Sequence, residues 1–181
     1  MDCVFIRHGI ALEPAEWNGL EKLRPLTEKG RKRVKQAAEG LASIDLAPTH
    51  ILSSPFTRAK QTASIIRAVL GPTLNIECVE ELAVGSTPER LLTKLRAHPS
   101  DSVVMCVGHE PLLGSTVSLL LCGHPGEGFP MKKSAAARIH LPRHVGPGLG
   151  QLCWWIEPGQ LRMLGKGLVI KGRPGKAQAD D

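Results

Sequence analysis

The chain has 181 residues, enough for one well-cored domain and too few for two. Aromatic residues make up 3% and Tyr is absent, so the core must be built from Leu, Val, Ile and Ala, which favours an α/β layer fold over an aromatic-rich binding module. The formal net charge of +6 would suit an anionic partner, but base-stacking aromatics and a nucleic-acid motif are missing, so no nucleic-acid partner is expected.

The first element is Cys3-Val4-Phe5-Ile6-Arg7-His8-Gly9. Its continuous apolarity predicts a strand buried on both faces, and Gly9 is expected to let the backbone turn sharply beside a ligand. Function should sit at that strand's tip, where open α/β sheets place their crevices. Residues 10–25 read as a loop. Thr27 is a plausible N-cap for a helix over 27–43, whose apolar face is Val34, Ala37, Ala38 and Leu41. The basic cluster Lys29, Arg31, Lys32, Arg33 and Lys35 reads as the solvated face of that helix, with a docking patch for an acidic protein as the sharper alternative.

A second strand over 49–53 leads into Ser54-Pro55, read as an N-cap serine with proline at the first helical position, and a helix over 56–70. Arg58 falls in its first turn, where a guanidinium beside a helix N-terminus makes a phosphate site. A third strand is predicted over 74–79, a helix over 88–98 and a fourth strand over 102–107. That strand ends in Gly108-His109-Glu110-Pro111, and a helix follows over 112–121. Residues 123–133 form a Gly/Pro-rich loop, 135–141 and 151–156 two more strands, and 160–164 one helical turn. The domain is expected to span residues 1–164, with 165–181 a weakly ordered tail.

Three strand ends thus carry Arg7 and His8, Arg58, and His109. If the strands are parallel neighbours, these four side chains meet in one pocket, and two arginines beside two histidines repel unless an anion lies between them. Two bidentate guanidiniums with imidazole donors match phosphate better than a carboxylate or a metal, and no zinc spacing occurs among the cysteines. Taken singly, His8 or His109 would be an ordinary core histidine. His50, His98, His124, His140 and His144 lack such context and are read as structural. Cys3, Cys78, Cys106, Cys122 and Cys153 are odd in number and unpaired in spacing, and are read as small buried thiols of a reducing compartment. No leader or membrane-length run is read, so a cytoplasmic location without membrane association is expected.

These same residues carry a family resemblance. Phe5-Ile6-Arg7-His8-Gly9 resembles the signature of the histidine phosphatase superfamily. Ser53-Ser54-Pro55-Phe56-Thr57-Arg58-Ala59-Lys60-Gln61-Thr62-Ala63 resembles its second block and Val107-Gly108-His109-Glu110-Pro111 its third. With the Arg24-Pro25-Leu26-Thr27 to Gly30 segment and the short chain, the likeness is strongest to SixA-type phosphohistidine phosphatases, over residues 2–164. It implies a phosphoglycerate mutase-like α/β fold, a three-layer sandwich with a mostly parallel sheet of five or six strands. It also implies a metal-independent, cofactor-free phosphatase in which His8 is the nucleophile and passes through a phosphohistidine intermediate. Arg7, Arg58 and His109 would bind the phosphoryl oxygens, and the arginines would depress the pKa of His8. In mutases and ester phosphatases of the superfamily a mid-chain acid protonates the leaving oxygen. Glu81, with Glu80 second, stands at that place, although the SixA-type branch does not clearly share it.

Only about twenty residues separate the third and fourth strands, leaving little chain for a lid. An open pocket suits a phosphorylated protein surface, with a His-phosphotransfer domain among the expected partners. The alternatives are a phosphatase of small phosphate esters and a non-catalytic phosphate-binding or docking module. Oligomeric state is not legible.

Overall fold

The computed structural model describes residues 1–142 and 144–167. Among them are six strands: β1 (Asp2–Arg7), β2 (His50–Ser53), β3 (Ile76–Cys78), β4 (Val103–Gly108), β5 (Ala136–His140) and β6 (Gln151–Ile156). Five α-helices accompany them: α1 (Glu28–Ala42), α2 (Thr57–Leu70), α3 (Pro88–Leu95), α4 (Leu112–Cys122) and α5 (Pro158–Leu164). The strands form one sheet in the order β3-β2-β4-β1-β5-β6.

β1 and β4 lie in the middle, and their continuous apolar runs are buried because helices cover both faces. Alternate residues supply two cores. Cys3, Phe5 and Cys106 pack under α3 and α4, while Val4, Ile6, Met105 and Val107 pack under α1, α2 and Leu161 of α5. The result is the expected three-layer α/β sandwich. α1 lies close enough to the loop after β1 that a Cβ on Gly30 would fall 2.0 Å from the Ile10 carbonyl oxygen.

The sheet is mixed, where a mostly parallel one is expected from sequence. β1, β4, β2 and β3 run parallel, whereas β5 is antiparallel to β1 and β6 antiparallel to β5. The reversal comes from the Gly/Pro-rich stretch after α4. It climbs back to the C-terminal edge of the sheet, where Ser134 N–H donates to the Arg7 carbonyl, before β5 descends. The predicted loop therefore delivers Met131 to Ser134 beside the tip of β1.

Several boundaries move. β3 covers only Ile76–Cys78 and α3 stops at Leu95, while α5 begins earlier than expected, at Pro158, behind a capping box of Glu157 and Gln160. Residues 165–167 continue α5 as turns, and residues 168–181, the rest of the tail read from sequence, lie outside the described residues. Cys3 and Cys106 are buried, but Cys78, Cys122 and Cys153 are exposed. The first two sit in central strands, whereas Cys78 and Cys153 lie on the two edge strands, whose apolar runs are only half covered, and Cys122 ends α4.

Candidate active site

The registers Arg7↔Gly108 and Ser53↔Val107 bring β1, β4 and β2 to an end at one level, so the residues after each strand share a single edge. His8, Arg58 and His109 meet there, all buried, with Arg58 4% exposed. The His8 and His109 rings lie 5.0 Å apart, centroid to centroid.

His8 Nδ1 is 2.7 Å from its neighbour's carbonyl oxygen, Gly9 O. A carbonyl only accepts, so Nδ1 carries the proton and Nε2 keeps its lone pair. Arg58 Nε–H donates to that Nε2 over 3.3 Å. Burial, reinforced by Arg58, Arg7 and Lys133, holds the His8 pKa down at about 3 against the pull of the Gly9 carbonyl. The ring is thus a neutral base with one lone pair whose partner is a guanidinium.

The local backbone is held by buried hydroxyls. Gly9 N–H donates to Thr62 Oγ1 at 3.0 Å, and the same hydroxyl donates to the Arg58 carbonyl at 2.7 Å. Thr62 lies one helical turn beyond Arg58, so one residue of α2 ties both sides of the pocket together. Gly9 is required here by packing. A Cβ would lie 2.4 Å from Val34 Cγ2 of α1, while the backbone is not left-handed, so the sharp turn expected from sequence is not its reason.

His109 Nε2 lies 2.8 Å from Ser54 Oγ, which accepts from Phe56 N–H at 3.3 Å. A chain in which Phe56 donates to Ser54 and Ser54 donates to Nε2 leaves the proton of His109 on Nδ1, an atom that is buried without a protein partner. Burial and the neighbouring His8, Arg58 and Arg7 press the His109 pKa to about 2. Ser54 is therefore an orienting residue and not the helix cap read from sequence, since α2 begins at Thr57 with no side-chain cap.

Arg7 is half-buried. Its Nη1 donates to the Met131 carbonyl at 2.7 Å, and its Nε is a second buried donor without a protein partner. The Met131 segment is secured by Glu110, whose carboxylate accepts from the backbone N–H groups of Gly114 (3.1 Å) and Met131. Burial pushes the Glu110 pKa up. Arg58 Nη1 is paired with Glu21 Oε1 at 3.1 Å, and Glu21 also grips Arg24 through both carboxylate oxygens at 2.8 and 2.7 Å. Glu21 belongs to a short 3-10 turn, Glu21–Leu23, that folds back over the mouth. Its neighbours Leu20 and Leu23 are 73% and 52% exposed.

The sequence-predicted set of Arg7, His8, Arg58 and His109 is thus brought together. Glu81 is placed less decisively. It lies half-exposed in the turn Glu80–Leu82 after β3, on the same sheet edge, and makes no hydrogen bond or ion pair among the described residues, whereas Glu80 pairs with Lys22 at 3.7 Å. Sequence reading did not single out Ser54, Thr62, Glu21 or Glu110 as parts of the site. Thr62 could have been found from its spacing to Arg58; the Met131 carbonyl carries no sequence signal. Among the described residues no group of three or more His, Cys, Asp or Glu side chains is gathered that could hold a metal ion, and no helix is long and apolar enough to cross a membrane.

Comparison with known proteins agrees with this geometry. The family model of the histidine phosphatase superfamily (branch 1) matches residues 3–86. The chain is 30% identical over 167 residues to the phosphohistidine phosphatase SixA of Escherichia coli, covering 90% of this chain and 98% of that one. The chain belongs to the histidine phosphatase superfamily. It is also 38% identical over 150 residues to an uncharacterized protein of Picosynechococcus sp., covering 77% of this chain and 88% of that one. Among solved structures it is similar to the protein histidine phosphatase SixA complexed with tungstate, with TM-score 0.77 and 29% identity over 89% of this chain and 99% of the other. The phosphoglycerate mutase-like fold and the likeness to the SixA-type branch, both expected from the motifs, hold.

Proposed function

We propose that this superfamily member is a phosphohistidine phosphatase acting on proteins, with residues 1–164 as its catalytic domain. The observation that carries the reading is the state of His8: a neutral ring with Nδ1–H fixed on Gly9 O and the Nε2 lone pair turned toward Arg58. His8 Nε2 attacks phosphorus in line, forming a P–N bond as the bond to the leaving imidazole nitrogen breaks. Water then attacks the phosphorylated His8, the P–N bond breaks with its electrons returning to Nε2, and phosphate leaves with a proton released to solvent.

Arg58 moves from the Nε2 lone pair to the phosphoryl oxygens. The unpartnered Arg7 Nε and His109 Nδ1 supply two further donors, in a buried setting where each is worth more than in water. The positive charge they bring does the work of stabilising the equatorial oxygens. The leaving imidazole takes a proton from solvent on its other ring nitrogen and departs neutral without a strong acid, because free His titrates near neutrality, about 6.5. Glu81, beyond β3, would be called on only by an oxygen leaving group. The exposed Leu20 and Leu23 beside the mouth suit a protein surface better than an enclosed metabolite.

The test measures phosphate released from a histidine-phosphorylated protein and from p-nitrophenyl phosphate. Wild type should favour the first and His8→Ala should release none from either. Preference for the ester would instead favour a small-molecule phosphatase, and no release from either would favour a binding module.

A further inference from the structure

Beside the phosphate site lies a cavity of about 820 Å³ walled by Arg7, Arg33, Lys132, Lys133, Arg162 and Glu157. Both lysines have carboxylate partners, Lys132 with Glu157 Oε2 at 2.9 Å and Lys133 with Glu13 Oε1 at 3.7 Å, which leaves three arginines, Arg7, Arg33 and Arg162, without an ion-pair partner among the described residues. The cations come from four parts of the chain: the tip of β1, α1, the segment before β5, and α5. Of the basic cluster on α1, Lys29, Arg31, Lys32 and Lys35 are exposed and only Arg33, half-buried, turns into this cavity. Such an assembly of like charge is relieved by an anionic occupant.

We propose that this cavity docks an acidic segment of the phosphorylated protein substrate, flanking the phosphorylated residue; this deepens the function proposed above and rests on it. Arg7 joins the two sites, since it lines the cavity and its charge also bears on His8 and His109. The wall offers side-chain cations and not a cradle of amides. Ser134 N–H is spent on the Arg7 carbonyl and the Gln160 N–H at the start of α5 on the Glu157 carboxylate. Recognition by dispersed, partly exposed cations suits carboxylates spaced along a peptide, whereas a compact phosphate is held by donors that converge on one point, as the side chains around His8 do. Ile10 and Met163 add apolar lining that accepts the side chains between those carboxylates.

The test uses a labelled, unphosphorylated peptide rich in Asp and Glu, its Asn/Gln counterpart, and fluorescence anisotropy at low and moderate salt. The acidic peptide should bind at least about tenfold more tightly than the neutral one and weaken as salt rises. Arg33→Ala with Arg162→Ala should cost it about tenfold, the worth of two partly exposed arginine–carboxylate contacts, while the paired lysine variants Arg33→Lys and Arg162→Lys should stay within about threefold. Equal binding of the neutral peptide, or unchanged binding by the alanine pair, would overturn the proposal. So would inorganic tripolyphosphate or a single-stranded oligonucleotide that competes below the concentration the peptide itself needs. Because the peptide carries no phosphate, its selective binding by a protein that fails to hydrolyse phosphohistidine would count against the reaction and leave the docking surface standing. Hydrolysis without peptide selectivity would overturn the docking surface alone.

Discussion

The neutral state of His8 predicts a specific acid sensitivity. Above about pH 6.5 the ring is uncharged in folded and unfolded chains alike and adds nothing to the pH dependence. Below that value the unfolded chain takes up a proton that the folded chain refuses until about pH 3. Stability is therefore complete above the unfolded pKa and is lost as pH falls toward the folded one. At pH 5 the unfolded pKa is about 1.5 pH units away, and at about 1.36 kcal/mol per unit the folded state has lost about 2 kcal/mol through His8. His8→Asn keeps a donor for the Gly9 carbonyl and has no titratable ring. Urea unfolding of both proteins at a series of pH values should show wild type losing about 2 kcal/mol more than the variant between neutrality and pH 5. Parallel stability curves would mean that His8 is charged in the folded protein, and the neutral-nucleophile argument would fall. The same depression predicts that kcat/KM shows no acid limb centred on the ordinary histidine value.

Two further outcomes follow from contacts around the site. Thr62→Val leaves the Gly9 N–H buried without its acceptor and should cost about 1–3 kcal/mol, lowering Tm by about 2–4 °C per kcal/mol, with Thr62→Ser restoring most of it; an unchanged melt in the valine variant would show that the hydroxyl bridge is idle. Glu110→Ala frees the Met131 segment that holds Arg7 Nη1, so KM for p-nitrophenyl phosphate should rise about tenfold with a smaller change in kcat, and Glu110→Gln, which keeps one acceptor, should lie between; equal KM values would remove the Glu110–Met131–Arg7 linkage.

What was legible follows from which constraints are local. Cys3 to Ile6 and Val104 to Val107 are apolar without interruption because both faces of the central strands are covered, and a polar residue after such a run can only emerge at the sheet edge. That logic assembles Arg7, His8, Arg58 and His109 from sequence. It fails where long-range packing decides. Met131 meets Arg7 only because the chain after α4 climbs the height of the sheet, which also reverses β5. Cys78 and Cys153 look internal by composition and are exposed because β3 and β6 are edges. Ser54 carries the signature of a cap, yet its hydroxyl is drawn to His109, two strand-ends away in sequence and a hydrogen bond away in space.

Holding two arginines against two histidines costs free energy, and the structure distributes the restraint over groups that do not themselves carry positive charge. Thr62 fixes Gly9 and the Arg58 backbone, Ser54 fixes His109, Glu21 offsets Arg58, and Glu110 anchors the carbonyl that holds Arg7. None of these fills the atoms left over, Arg7 Nε and His109 Nδ1, whose burial without a partner is unfavourable until an anion arrives. Burial thus has one cause and two effects. It drives both imidazoles neutral, which makes the folded protein acid-labile, and it preserves a lone pair on His8 beside unspent donors, the state that the proposed phosphoryl transfer requires.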